Sequence, residues 1–149
     1  MNIYFSCSIT GGRQDQQFYH EIVQFLLEKG HQVPTAHLAH QDVIQAEDTV
    51  SARSVYKRDM QWLDECDGLI AEISTPSHGV GYEIAMALIL GKPTFCCFQL
   101  GHKVSKILLG NTHPNLHLNA YHNMEDLLPL IQDFLMNIHP GDIHHSIAG

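Results

Sequence analysis

The run Gly68-Leu69-Ile70-Ala71-Glu72-Ile73 is almost continuously apolar, and a short glycine-bearing stretch separates it from a second apolar run, Ile84-Ala85-Met86-Ala87-Leu88-Ile89-Leu90. A strand that is apolar on both faces belongs between two layers, as in a parallel sheet covered by helices. The second run is too short to span a bilayer and reads as a helix packed on that sheet. The junction, Ser77-His78-Gly79-Val80-Gly81-Tyr82-Glu83, sets two glycines between strand and helix. Glycines there let the backbone turn tightly and approach a ligand without Cβ interference. Glu83 is expected in the first helical turn, where the dipole favours its ionised form, beside a hydrophobic wall. Stability alone rarely asks for that arrangement.

The same alternation runs through the chain. Strands are expected at Met1 to Ser6, His31 to Pro34, Gly68 to Ile73, Thr94 to Phe98 and Leu116 to Ala120. Helices are expected at Gln14 to Lys29, Ala52 to Cys66, Val80 to Leu90, Lys103 to Leu109 and Met124 to Ile138, with Ala36 to Ser51 a polar loop. In the first helix Phe18, Ile22, Phe25 and Leu26 recur at helical spacing and Gly30 ends it. The expectation is one α/β domain over residues 1–149, with residues 139–149 a polar tail. Its sheet would be flavodoxin-like: five parallel strands in the order 2-1-3-4-5, helices on both faces. Such sheets bind ligands beyond the carboxyl ends of the strands, which brings Ser6 to Arg13 and Ser74 to Gly79 to one crevice.

A net charge of −8 over 149 residues disfavours nucleic acid or an anionic membrane as partner. The 44% hydrophobic and 16% charged content fits a compact chain. With no signal pattern, and with the cysteines Cys96 and Cys97 adjacent on a buried strand, a cytoplasmic location is expected. The twelve histidines show no recognised zinc spacing, so no metal is expected; His37, after the second strand, could reach the crevice.

Three residues are candidates for chemistry. Glu83 either complements the helix dipole or serves the crevice. Asp59 shares the apolar stripe of its helix with Val55, Trp62, Leu63 and Cys66. It is either hydrogen-bonded to a loop or a proton donor whose pKa burial raises. Tyr4, alternating with Ile3 and Phe5, is a core tyrosine or a site hydroxyl. A rival pattern, Cys7-Ser8-Ile9-Thr10-Gly11-Gly12-Arg13, matches the C-x5-R loop of low-molecular-weight tyrosine phosphatases. Gln14 replaces the usual Ser or Thr, however, and no Asp-Pro acid loop follows.

Three stretches in order resemble the nucleoside 2-deoxyribosyltransferase superfamily: Tyr4-Phe5 through Gly11-Gly12-Arg13, Arg58-Asp59-Met60-x-Trp62-Leu63, and Ser77-x-Gly79-Val80-Gly81-Tyr82-Glu83. The superfamily includes deoxynucleoside 5′-monophosphate N-glycosidases. The resemblance implies that Glu83 attacks the anomeric carbon, Asp59 exchanges a proton with the base, and Tyr4 orients Glu83. It further implies that Ser77, Gly79 and the amides of Cys7, Ser8 and Ile9 hold the 5′ end of the sugar, with His37 near the substrate. Ser105 would complete the site of a neighbouring copy, so a homo-oligomer, at least a dimer, is expected. The implied partners are nucleosides and nucleobases, and no cofactor is implied.

Cleaving an N-glycosidic bond passes through an oxocarbenium-like state that a carboxylate can stabilise or trap. The acceptor is the open choice. Monophosphate glycosidases usually carry Arg where this chain has Thr10, which favours base exchange between nucleosides as the expectation. Ser77, Ser105 and Arg13 suit a phosphate, so hydrolysis of deoxynucleoside 5′-monophosphates is the alternative. A C-x5-R phosphatase and a non-catalytic nucleotide-binding module are lesser readings.

Overall fold

Four parallel strands form the sheet of the computed structural model, which describes residues 1–9, 15–40 and 42–139. They are β1 (Ile3–Ser6), β2 (Gly68–Glu72), β3 (Thr94–Gln99) and β4 (Leu116–Tyr121), in the spatial order β1-β2-β3-β4. The register sets Tyr4 beside Leu69, Ile70 beside Phe95 and Cys97 beside Asn119. The helices are α1 (Gln16–Glu28), α2 (Val43–Asp48), α3 (Ala52–Glu65), α4 (His78–Ile89), α5 (Lys106–Leu109) and α6 (Met124–Met136).

Alternation along the strands divides the core in two. On one face Ile3, Phe5, Ile70, Phe95 and Cys97 pack with Tyr19, Ile22 and Leu26 of α1 and Leu127 and Ile131 of α6. On the other, Tyr4, Leu69, Ala71 and Cys96 pack with Leu63 of α3 and Val80, Ile84 and Ala87 of α4. Fully burying one such aliphatic side chain is worth about 1.5–3 kcal/mol. Lys92, almost wholly buried, donates to the carbonyls of Asp64 and Cys66 at 2.6 and 2.9 Å. Its ammonium thus satisfies the C-terminal end of α3.

The fifth strand expected at His31 to Pro34 is reduced to one parallel bridge, Asn2 to Gln32. Pro34 has no N–H to offer a ladder, and Phe5 N donates instead to Thr35 Oγ1 at 2.9 Å. The stretch Ala36 to Ser51, expected as loop, contains a 3-10 turn (Ala36–Ala39) and α2. The Gly11-Gly12 pair and the expected Gln14 start of α1 lie outside the described residues. None of the helices among those residues is long and apolar enough to cross a membrane.

Helix α4 also begins earlier than expected. Ser77 is its N-cap, accepting from Val80 N at 3.4 Å, and His78 is the first helical residue. Gly79 and Gly81 therefore lie inside the helix, and neither has a positive φ. They do not make a strained turn; they leave the first turn of α4 bare. A Cβ at Gly81 would meet nothing within 4 Å.

Candidate active site

Strand β1 ends in Tyr4-Phe5-Ser6, and side chains two apart on a strand share a face. Both hydroxyls of that face meet Glu83. Tyr4 OH donates to Glu83 Oε1 at 2.9 Å, and Ser6 Oγ donates to Oε2. Tyr4 and Ser6 are both fully buried. The carboxyl is thus fixed at both oxygens at the carboxyl end of β1, where the sheet topology places ligands.

The charge state of Glu83 differs from the expectation. Early initiation of α4 puts Glu83 in its second turn, and no acidic residue occupies the first. The dipole's effect fades within one turn, so it cannot dominate here. Burial instead pushes the Glu83 carboxyl up to about 7, against the pull of the Ser6 and Tyr4 hydroxyls, and nearby Asp59 adds to the rise. Burial, then the Glu83 charge, raises the Tyr4 phenol far above its usual range, so it remains a neutral donor.

Asp59, on its apolar stripe, is paired with its helix neighbour and not with a loop backbone. Its Oδ1 accepts from Arg58 Nε at 2.8 Å. Arg58 in turn gives both Nη groups to Glu47, at 3.0 Å each, and lies over the Trp62 ring. His37 Nε2 is 3.1 Å from Glu47 Oε1, and its ring meets Trp62 edge-on. His37 and Asp59 are therefore brought together, through two residues that sequence reasoning left aside. The arginine anchor holds Glu47 below the usual carboxylate range.

Ser77 and Ser105 line a cavity of about 820 Å³ between the start of α4 and residues 103–108, with Gly81 and Ile84 but not Glu83 in its lining. Ser105 caps α5, accepting from Ile107 N at 3.3 Å. Gly79 lies beside Ser77, its nearest neighbour for a Cβ being Ser77 Oγ at 3.9 Å. Cys7 and Ser8 are buried and Ile9 half-buried at the end of β1. The Cys7 side chain belongs to the core on the far sheet face, with Sγ 3.8 Å from the Leu38 carbonyl oxygen. A sequestered thiol is a poor nucleophile, which removes support from the C-x5-R reading; Thr10 and Arg13 lie outside the described residues. No group of three or more His, Cys, Asp or Glu side chains among the described residues could hold a metal ion.

Beneath the crevice, Asp15 at the start of α1 accepts from Thr75 Oγ1 at 2.8 Å and Gln99 Nε2 at 2.6 Å. Glu72, fully buried, accepts from Ser74 and from Tyr121 OH at 3.0 Å. Burial pushes its carboxyl up to about 7. This bracing holds the 74–77 turn that leads into α4. Sequence reasoning missed Ser6, although its same-face spacing from Tyr4 was a usable signal. It also missed Glu47, which only the fold brings to Arg58.

Residues 3–127 match the family model described as nucleoside 2-deoxyribosyltransferase. A Methanococcoides burtonii protein provisionally named 2′-deoxynucleoside 5′-phosphate N-hydrolase 1 is 39% identical over 81% of this chain and 99% of its own length. The 5-hydroxymethyl-dUMP N-hydrolase of Esox lucius is 35% identical over 93% of this chain and 98% of its own. The structure of Clostridium botulinum CMP N-glycosidase superposes with a TM-score of 0.68 at 21% identity, covering 90% of this chain and 99% of that one, a likeness of fold. Both sequence relatives are named for hydrolysis, which runs against the expectation of base exchange drawn from Thr10. With a family model spanning most of its length and relatives matched nearly end to end, this chain belongs to the nucleoside 2-deoxyribosyltransferase family.

Proposed function

We propose that this protein hydrolyses the N-glycosidic bond of 2′-deoxynucleoside 5′-monophosphates, releasing the base and 2-deoxyribose 5-phosphate. The observation that carries the reading is the Glu83 carboxyl, held at both oxygens by Tyr4 and Ser6 in a buried crevice. Hydrolysis, rather than exchange, is favoured by the names of the relatives that match this chain over most of its length. Ionised Glu83 attacks C1′ as the C1′–N bond breaks, and Asp59 gives its proton to the departing base. Water then attacks C1′, yields a proton to Asp59, and displaces Glu83. Two displacements at one carbon retain configuration.

Ser77, Gly79 and the amides of Cys7, Ser8 and Ile9 hold the 5′-phosphate in this scheme, with His37 near the substrate. Ser105 serves the site of a neighbouring copy in a homo-oligomer. The exposed apolar side chains of Ile107 and Leu109, beside the cavity that Ser77 and Ser105 share, support that assembly. The test is product analysis with dGMP and 5-hydroxymethyl-dUMP, and with deoxyinosine plus free adenine. Free base and 2-deoxyribose 5-phosphate from the monophosphates, with little deoxyadenosine formed, are expected. Rapid deoxyadenosine formation with inert monophosphates would restore base exchange.

A further inference from the structure

We infer that Glu47 is a positioning residue for Asp59, acting through Arg58 to keep one oxygen of the Asp59 carboxyl open to the departing base. The inference rests on the proton-donor role of Asp59 proposed above. Arg58 and Asp59 are consecutive on α3, and Arg58 reaches its neighbour through Nε alone, at 2.8 Å from Oδ1, because its Nη groups are engaged elsewhere. Its Nη groups point away, to Glu47 Oε1 and Oε2 at 3.0 Å each, and its Cζ lies over the Trp62 ring, 5.0 Å from the centroid.

The guanidinium is thus held at its Nη edge by Glu47 and at Nε by Asp59, and it sits over the Trp62 ring. Asp59 Oδ2 has no hydrogen-bond partner among the described residues, so it is the oxygen left to hold and donate a proton. An arginine released from Glu47 would be free to turn its fork onto Asp59 and occupy both oxygens, because bidentate pairing is the preferred geometry of that pair. Glu47 prevents this from α2. Its own carboxylate is further held by His37 Nε2 at 3.1 Å. The side chains of Glu47 and Asp59 are each only 15% exposed, so solvent does not readily replace these contacts.

The test compares two substrates. Ordinary dGMP needs a proton on its departing base, whereas N7-methyl-dGMP carries a cationic base that leaves neutral without one. Asp59→Asn, Glu47→Gln and the double variant Glu47→Gln/Asp59→Asn are assayed on both. Glu47→Gln is expected to lower kcat/KM for dGMP roughly tenfold to a hundredfold while leaving kcat/KM for the methylated substrate near wild type, as Asp59→Asn does, because kcat/KM reports departure of the base and not the later attack of water. The double variant should be no slower on dGMP than Asp59→Asn. Glu47→Asp, whose shorter side chain keeps the charge, should restore part of the dGMP rate. Equal slowing of both substrates by Glu47→Gln would make its role merely structural and overturn the inference, as would an unchanged dGMP rate. Wild-type protein inert toward both substrates would instead refute the hydrolase reading, and an Asp59→Asn variant slowed equally on both would refute the donor role.

Discussion

Removing the Tyr4 hydroxyl should move the acidic limb of the pH–rate profile upward. Glu83 must be ionised to attack C1′, and its carboxyl is pushed up to about 7 by burial, so activity rises as pH rises through that value. The Tyr4 hydroxyl favours the ionised form through its 2.9 Å bond to Oε1. A hydrogen bond to a charged group is worth about 1.5–3 kcal/mol, and each 1.36 kcal/mol moves a titration by one pH unit. Tyr4→Phe should therefore carry the midpoint from about 7 to roughly 8 or 9. At pH 7 the ionised fraction falls from about a half to about a tenth or less, a loss of roughly fivefold to fiftyfold that high pH restores. The assay is kcat/KM for dGMP hydrolysis between pH 5.5 and 10, wild type against Tyr4→Phe. Titration of the substrate phosphate is common to both profiles and cancels in their comparison. A loss of equal size at every pH, or an unmoved midpoint, would refute the reasoning.

Buried Glu72 should make stability pH-dependent. Its folded pKa of about 7 lies above the ordinary value of 4.5, so its stabilising contribution is full below about 4.5 and lost as pH rises through about 7. Glu72→Gln should shrink the fall in unfolding free energy between pH 5 and pH 8 by on the order of 3 kcal/mol, read by urea melts; an unchanged slope would contradict this. Gly81→Ala should fold without penalty, since its Cβ meets nothing, and should even gain up to about 1 kcal/mol in helix propensity. Its hydrolytic rate should nevertheless fall if that bare surface serves substrate or a neighbouring copy, and an unaffected rate would show that the space is idle. Mixing Glu83→Ala with Ser105→Ala protein should recover activity through hybrid sites, whereas full activity of a demonstrably monomeric wild type would exclude shared sites.

The sheet was legible because β2 is apolar on both faces, and that pattern has few solutions. The second strand was not, because Pro34 and the Thr35 hydroxyl replace ladder bonds in a way no periodicity reports. Glu83, Asp59 and Tyr4 stood out by position, yet their electrostatics did not follow. An earlier start of α4, at His78 rather than Val80, removes Glu83 from the dipole, and Asp59 is paired by its own neighbour Arg58. Glu47 could not be anticipated, because its contact with Arg58 depends on α2, a helix inside a stretch that reads as polar loop.

The central claim is that Glu83 forms the bond to C1′. The most direct measurement is intact-protein and peptide mass spectrometry after incubation with a 2′-deoxy-2′-fluoro nucleoside 5′-monophosphate, whose fluorine slows breakdown of the glycosyl-enzyme. The account predicts a 2-fluoro-2-deoxyribose 5-phosphate adduct on the peptide containing Glu83, and none on Glu83→Gln. An adduct mapped to any other residue, or one that persists in Glu83→Gln, would contradict it.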